Sequence, residues 1–227
     1  MRKAFLVILF LNIALISNAQ RNYYVKEHRV RLGFRLDPTI SLLVPQESGV
    51  DRNAGRLGIS FGIMADFLLD EAGHYALATG LQITTAGSKL KYDAGKGLDD
   101  YKANPAEYNI KATYVEVPLA LKLKAETAPG MNIFGQFGTY VGFPVRGRAD
   151  VVSLTQTYDK VNVLRDLQPV NIGLLVGAGV EYPISENLTG LVGLDYRNGF
   201  IDVTRNAKWD DGKVNMNSIA LKLGLFF

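Results

Sequence analysis

The chain has 227 residues, 48% hydrophobic and 21% charged, with a formal net charge of +3. That balance excludes wholesale disorder, which needs low hydrophobicity and high net charge. With no Cys and only two His, a disulfide framework, a Cys zinc site, a thiol nucleophile and a His-rich metal centre are excluded as well.

Arg2 and Lys3 open the chain as a positive region, and Ala4 to Ile16 is apolar except for Asn12. Ser17-Asn18-Ala19 then places small residues at the −3 and −1 positions of a cleavage site. Residues 1–19 are predicted to be a signal peptide cleaved after Ala19, since the apolar stretch is too short to cross a bilayer. Removing Arg2 and Lys3 from the 25 basic residues leaves 23 against 22 acidic ones. The mature domain, 20–227, is therefore nearly neutral, and no basic run marks nucleic acid as a partner. No later run of 18 apolar residues exists, so helical membrane spans are excluded.

From residue 30 onward the pattern alternates with period 2, the signature of strands. Eight strands are predicted, at 30–37, 57–69, 75–86, 112–125, 132–147, 170–182, 188–201 and 216–227. The first sets Val30, Leu32, Phe34 and Leu36 against Arg31, Gly33, Arg35 and Asp37. The fourth sets Val115, Val117, Leu119, Leu121 and Leu123 against Tyr114, Glu116, Lys122 and Lys124. The seventh sets Leu188, Val192, Leu194 and Tyr196 against Thr189, Gly193, Asp195 and Arg197. Pro118 and Pro144 fall inside two of these runs, where a missing N–H predicts a bulge or an interrupted strand.

The connections alternate in length. Long polar loops are expected at 42–55, 88–111, 148–169 and 202–215, and short turns at 70–74, 126–131 and 183–187. Transmembrane barrels have long loops outside and tight turns in the periplasm. The other face of the strands mixes glycine (Gly58, Gly62, Gly80, Gly138, Gly142, Gly173, Gly177, Gly179, Gly193) with charge. A soluble sandwich would turn its greasy face inward, whereas the interior of an eight-stranded barrel is just wide enough to be filled by side chains. The expected fold is an all-β, eight-stranded, antiparallel up-and-down barrel in the outer membrane. Its lumen is expected to hold a charge network of Arg31, Arg35, Asp66, Glu116, Lys122, Glu181, Asp195 and Arg197, with Asp37, Lys124, Arg146 and Lys222 on the same face. Open sheet edges are forbidden in lipid, so the last strand must close on the first. The terminal run Leu223, Leu225 and Phe227 resembles the insertion signal read by outer-membrane barrel-assembly machinery.

Three segments carry a family likeness: Thr113-Tyr-Val-Glu-Val-Pro-Leu-Ala-Leu-Lys122, Gly173-Leu-Leu-Val-Gly-Ala-Gly-Val-Glu-Tyr182 and Gly193-Leu-Asp-Tyr-Arg-Asn-Gly-Phe-Ile-Asp-Val203. With the Asn18-Ala19-Gln20 site, they resemble the PorT-like outer-membrane β-barrel proteins of Bacteroidetes. The resemblance implies an eight-stranded barrel and, from the namesake, an accessory part in secretion of exported proteases. It supplies no catalytic motif.

Other motifs carry less. Gly177-Ala-Gly179 meets Tyr182 where a dinucleotide fingerprint needs Gly or Ala, and it sits mid-strand. There is no Gly-x-Ser-x-Gly elbow, and His28 and His74 are expected at the periplasmic rim without a Ser partner. Asn187-Leu-Thr189 fits a glycosylation sequon by chance. Trp209 and Asp210-Asp211-Gly212 mark a turn in the last external loop, with calcium the weaker reading because the carboxylates are too few. Lys89, Lys91, Asp93, Lys96, Asp99, Asp100, Lys102 and Glu107 mix both signs, as a solvated loop does, or else form a binding surface. The expected function is non-enzymatic and cofactor-free. External loops would bind an envelope or secretion partner, lipid would surround the barrel, and the alternatives are a PorT-type secretion accessory or a small channel.

Overall fold

The computed structural model describes residues 29–128, 131–154 and 156–227; the predicted signal peptide and His28 lie outside them. The strands are β1 (Val30–Pro45), β2 (Val50–Leu68), β3 (Tyr75–Tyr92), β4 (Ala106–Ala128), β5 (Met131–Ser153), β6 (Gln156–Asn162), β7 (Asn171–Ser185), β8 (Leu188–Gly199) and β9 (Val214–Phe226). A short helix, α1 (Asn206–Trp209), precedes β9. All pairings are antiparallel. β1 to β5 pair in sequence, β5 pairs β7, β7 pairs β8, β8 pairs β9, and β9 closes on β1. Eight strands thus make the ring. β6 is a ninth, short strand that pairs with β5 beyond the point where β7 begins, from Arg148 to Ser153.

The alternation explains the membrane belt. Phe34, Leu36, Leu119, Leu121, Phe137, Leu194 and Ile219 all face outward. The belt runs from Val115 to Leu123 on β4 and from Ile172 to Ile184 on β7. At ~3.4 Å per residue and ~40° of tilt it is roughly 20–30 Å tall, which matches a hydrocarbon core. The hairpins at 69–74 and 186–187 lie at the same end as Phe227, whereas the opposite end carries the long connections 93–105 and 200–213; outer-membrane barrels keep their short turns in the periplasm, which makes the Phe227 end the expected periplasmic one. At the first of them Asp70 accepts the backbone N–H groups of His74 and Tyr75 at 3.0 and 2.7 Å. The Tyr75 N–H, foremost, holds the Asp70 carboxyl below its usual range.

The other end departs from the expected loops. β1 continues to Pro45 and β2 starts at Val50, so 42–55 is mostly strand around a short turn. β3 runs to Tyr92 and β4 begins at Ala106, so both ends of 88–111 are paired strand and the connection shrinks to 93–105. Above the belt the pattern keeps its period but swaps its sense. On β4, Tyr108, Ile110, Ala112 and Tyr114 point inward, and Glu107, Asn109 and Lys111 point out. Below Glu116 the inside is charged and the outside greasy. The inward apolar side chains of the upper half form one core with Leu43, Leu90, Tyr92, Val151, Val163, Leu167 and Trp209. This half has the layout of a water-soluble β-domain.

The two internal prolines act differently. The β4–β5 register shifts between Thr113–Arg146 and Tyr114–Pro144, so Val145 is the extra residue of a bulge. At Pro118 the ladder to β3 is interrupted without a shift, and its carbonyl accepts the Thr79 hydroxyl at 2.7 Å. The bulge corrects one assignment. It resets the parity of β5, so Arg146, expected in the lumen by strict alternation, is exposed on the outer face.

Candidate functional site

The lumen within the belt is built from one to three inward polar or charged side chains per strand, arranged in three tiers. Nearest the periplasm, Lys122 of β4 donates to Asp66 of β2 at 2.8 Å and also to Glu181 of β7. Arg31 of β1 donates to the other Glu181 oxygen at 2.8 Å and lies 3.9 Å from Asp66. The Lys124 ammonium is 4.0 Å from Glu181. The Phe226 ring lies 4.3 Å from the Arg31 guanidinium, and the Phe134 ring 4.7 Å from the Lys122 ammonium.

In the middle tier Asp195 of β8 gathers three partners. Gln136 donates to it at 2.7 Å, while Arg35 and Lys222 lie 3.4 and 3.7 Å away. Arg35 also donates through Nε to Asp37 at 2.6 Å. The other Asp37 oxygen accepts the Leu223 N–H at 3.0 Å, at a place where the β1–β9 ladder skips its backbone pairs. A lumen carboxylate therefore takes up a donor in the seam that closes the barrel. In the upper tier one Glu116 oxygen accepts from Arg197 at 2.7 Å, Gln82 at 2.6 Å and Thr84 at 2.7 Å.

Six cations (Arg31, Arg35, Lys122, Lys124, Arg197, Lys222) thus meet five carboxylates (Asp37, Asp66, Glu116, Glu181, Asp195), almost all buried. Glycine makes the room. A Cβ on Gly177 would sit 2.1 Å from a carboxylate oxygen of Asp195. Cβ atoms on Gly33 and Gly224 would come within 2.8 and 2.6 Å of the Met64 methyl. Among Arg35, Met64, Asp66, Lys122 and Lys222 the packing leaves a cavity of about 20 Å³, room for about one water.

Above the belt the connections fold inward. Trp209 at the end of α1 is fully buried, its indole N–H donating to the Asp166 carbonyl at 3.0 Å. Its ring lies 5.7 Å from Tyr92 and 5.2 Å from Tyr108, which are 4.9 Å apart. Beside it Asp211 accepts the Tyr92 hydroxyl at 2.8 Å and the Thr204 hydroxyl at 3.1 Å. Burial, foremost, pushes the Asp211 carboxyl up to about 6, and burial raises Asp202 as well. Tyr92 is raised by burial and then by Asp211. Asp211 is thus a structural acceptor beneath the turn, a part that the Asp-Asp-Gly turn reading leaves out. A buried aromatic next to a turn signal is the one sequence cue to it.

The remaining motifs stay apart. Gly177 and Gly179 lie within β7, Asn187 lies in the β7–β8 turn, and His74 is exposed in the periplasmic hairpin. Among the described residues no group of three His, Asp or Glu is placed to hold a metal ion.

A family model described as "Outer membrane protein beta-barrel domain" matches residues 18–205. No curated protein matches the chain. Among solved structures, the Neisserial surface protein A is 16% identical, with a TM-score of 0.46 over 86% of this chain and 95% of that one. The attachment invasion locus protein Ail of Yersinia pestis is 13% identical, with a TM-score of 0.35 over 87% and 97%. Outer membrane protein OprG of Pseudomonas aeruginosa is 10% identical, with a TM-score of 0.42 over 86% and 94%. At such identities no function passes from them to this chain.

Proposed function

The chain belongs to the outer membrane protein beta-barrel domain family, and from that premise we propose that it is a non-enzymatic, non-conducting barrel whose raised extracellular cap is a rigid binding surface for an envelope partner. One observation carries this reading: a cap with its own apolar core stands on a lumen filled by paired charges. A conducting pore needs a continuous water path, and a surface that only shielded the membrane would not need strands of 23 residues such as β4 and β5. A hydrolase of the Ser–His type would need an imidazole beside a nucleophile. Among the described residues the sole imidazole is His74, at the far end of the barrel.

Three finer proposals go with it. The leader is cleaved after Ala19. The outward-facing end of β9, Leu223 and Leu225 with Phe227, is what the barrel-assembly machinery reads. The likeness to the PorT-like proteins of Bacteroidetes makes a secretion component the partner to test first.

The main test has two arms. Purified protein in planar bilayers is expected to give no stepwise conductance, and resolved steps would overturn the non-conducting part. A photo-cross-linker at exposed cap positions such as Asn104 or Tyr158 is expected to give a discrete protein adduct in whole cells. The same probe at Val192, facing lipid, is expected to give none. Equal labelling at all three positions would overturn the binding role.

A further inference from the structure

At the upper rim of the belt the outer wall of β2–β5 carries four cations around one shallow recess of about 170 Å³: Arg56, Lys111, Arg146 and Arg148, with Asn109 and Asp150 at its edge. Lys111 and Arg148 are direct cross-strand partners, and Arg146 pairs with Thr113 one row below. Like charges directly opposite each other on one face are destabilising. Arg56 joins them from β2. Its side chain crosses Gly87, where a Cβ would sit 3.1 Å from the Arg56 δ-carbon, and it donates to Asn109 at 2.7 Å.

Among the described residues no carboxylate lies within ion-pairing distance of any of the four, whereas the neighbouring Lys89 has Glu107 at 3.8 Å. Asp150 is turned to the β5–β6 hairpin, accepting the Lys160 N–H at 2.9 Å, with the Asn109 amide 3.4 Å away. The Val145 bulge adds a separate observation. Without it Arg146 would point into the lumen; with it Arg146 stands in the same outward column as Arg148. Bulges are used to re-aim side chains in this way. Directly below lie Phe143, Val145 and Val117, all facing lipid.

We propose that this recess binds the phosphate groups of a phosphorylated lipid headgroup in the outer leaflet. Its acyl chains would lie along the greasy wall beneath. The position supplies the occupant: the cations sit where hydrocarbon gives way to headgroups, and arginine forks match phosphate oxygens. A soluble anion would not need the site to adjoin the belt. This site is separate from the cap's partner surface and does not depend on it.

The test uses the full-length protein, processed as in the cell and purified in neutral detergent. Diphosphoryl lipid A and its dephosphorylated form are titrated against it, with bound adducts counted by native mass spectrometry. The wild type is expected to hold the diphosphoryl form at least tenfold more tightly. The double variant Arg146→Glu, Arg148→Glu is expected to lose that preference while keeping heat-modifiable mobility, since both side chains leave the barrel wall. Lys208→Glu on the cap, an exposed cation elsewhere, is expected to keep it. Equal binding of the two lipid forms would overturn the proposal. So would an equal loss in Lys208→Glu, which would mean attraction by overall charge. Displacement of the lipid by millimolar inorganic phosphate would overturn the lipid assignment in favour of a free-anion site.

Discussion

Glu116→Gln isolates the energetics of the filled lumen. The carboxylate is 1% exposed, and one of its oxygens takes three hydrogen bonds of 2.6–2.7 Å, from Gln82 and Thr84 on β3 and Arg197 on β8. The amide keeps the size and removes the charge. Arg197, 3% exposed at its side chain, then loses the one ion-pair partner it has within 4 Å among the described residues. Breaking a buried pair from one side costs roughly 3–5 kcal/mol. With a urea slope of about 2 kcal/mol per molar, the unfolding midpoint in liposomes is expected to fall by about 1.5–2.5 M. Arg197→Met is expected to fall comparably, because it strands the carboxylate. The double variant Glu116→Leu, Arg197→Met is expected to lose clearly less than the sum of the two singles, since no buried charge is left alone, while Gln82 and Thr84 still lose an acceptor. A midpoint unmoved in Glu116→Gln, or a double variant equal to the sum of the singles, would refute the reasoning. Each charge would then be solvated on its own.

Leu194→Arg sets a charge on a side chain that is 59% exposed on the lipid face, at roughly 2–4 kcal/mol near the midplane. Folding yield into liposomes is expected to drop, and a yield equal to wild type would reverse the face assignment. Gly177→Val drives a methyl into Asp195; a urea midpoint at least 1 M lower is expected, and an unchanged one would mean that Asp195 is free to move. The Asp211 carboxyl is raised to about 6 by burial, so the folded cap holds a proton that the unfolded chain, near 3.9, has already released. Cap stability should therefore be highest below pH 4 and decline as pH rises to about 6, with Asp202 acting in the same sense. Trp209, the chain's single tryptophan, reports this by fluorescence; Asp211→Asn is expected to flatten the dependence, and a variant that still tracks pH would shift the cause elsewhere. Protease added to whole cells should cut first near Leu154 or within 156–160, exposed at the β5–β6 hairpin. First cleavage at 70–74 would put the barrel upside down.

The membrane half was legible because parity never changes there. Leu119, Leu121 and Leu123 on one face and Ala120, Lys122 and Lys124 on the other can be read without coordinates. Three features resisted. The inward run Tyr108, Ile110, Ala112, Tyr114 belongs to a strand, but the charged Lys89, Lys91 and Glu107 around it look like loop when apolar-out alternation is the criterion. Pro144 announced an irregularity without saying that Val145 would be the extra residue, so the side on which Arg146 emerges was undetermined. Trp209 and Asp211 meet Tyr92 across more than a hundred residues, and local spacing carries no trace of such a contact.

The swap of sense between the two halves bears on how strands find their partners. A strand with one greasy face tolerates only one parity, because a slip of a single residue turns every side chain over. In β3 and β4 the penalty would arise twice. Shifted by one, the lower half would hold Glu116 and Lys122 against acyl chains, and the upper half would turn Tyr108 and Ile110 to water. The two errors sit in different solvents, so no change in either could relieve the other. Each long strand thus carries two independent readings of the same alignment, and a misaligned hairpin has nowhere along its length to settle.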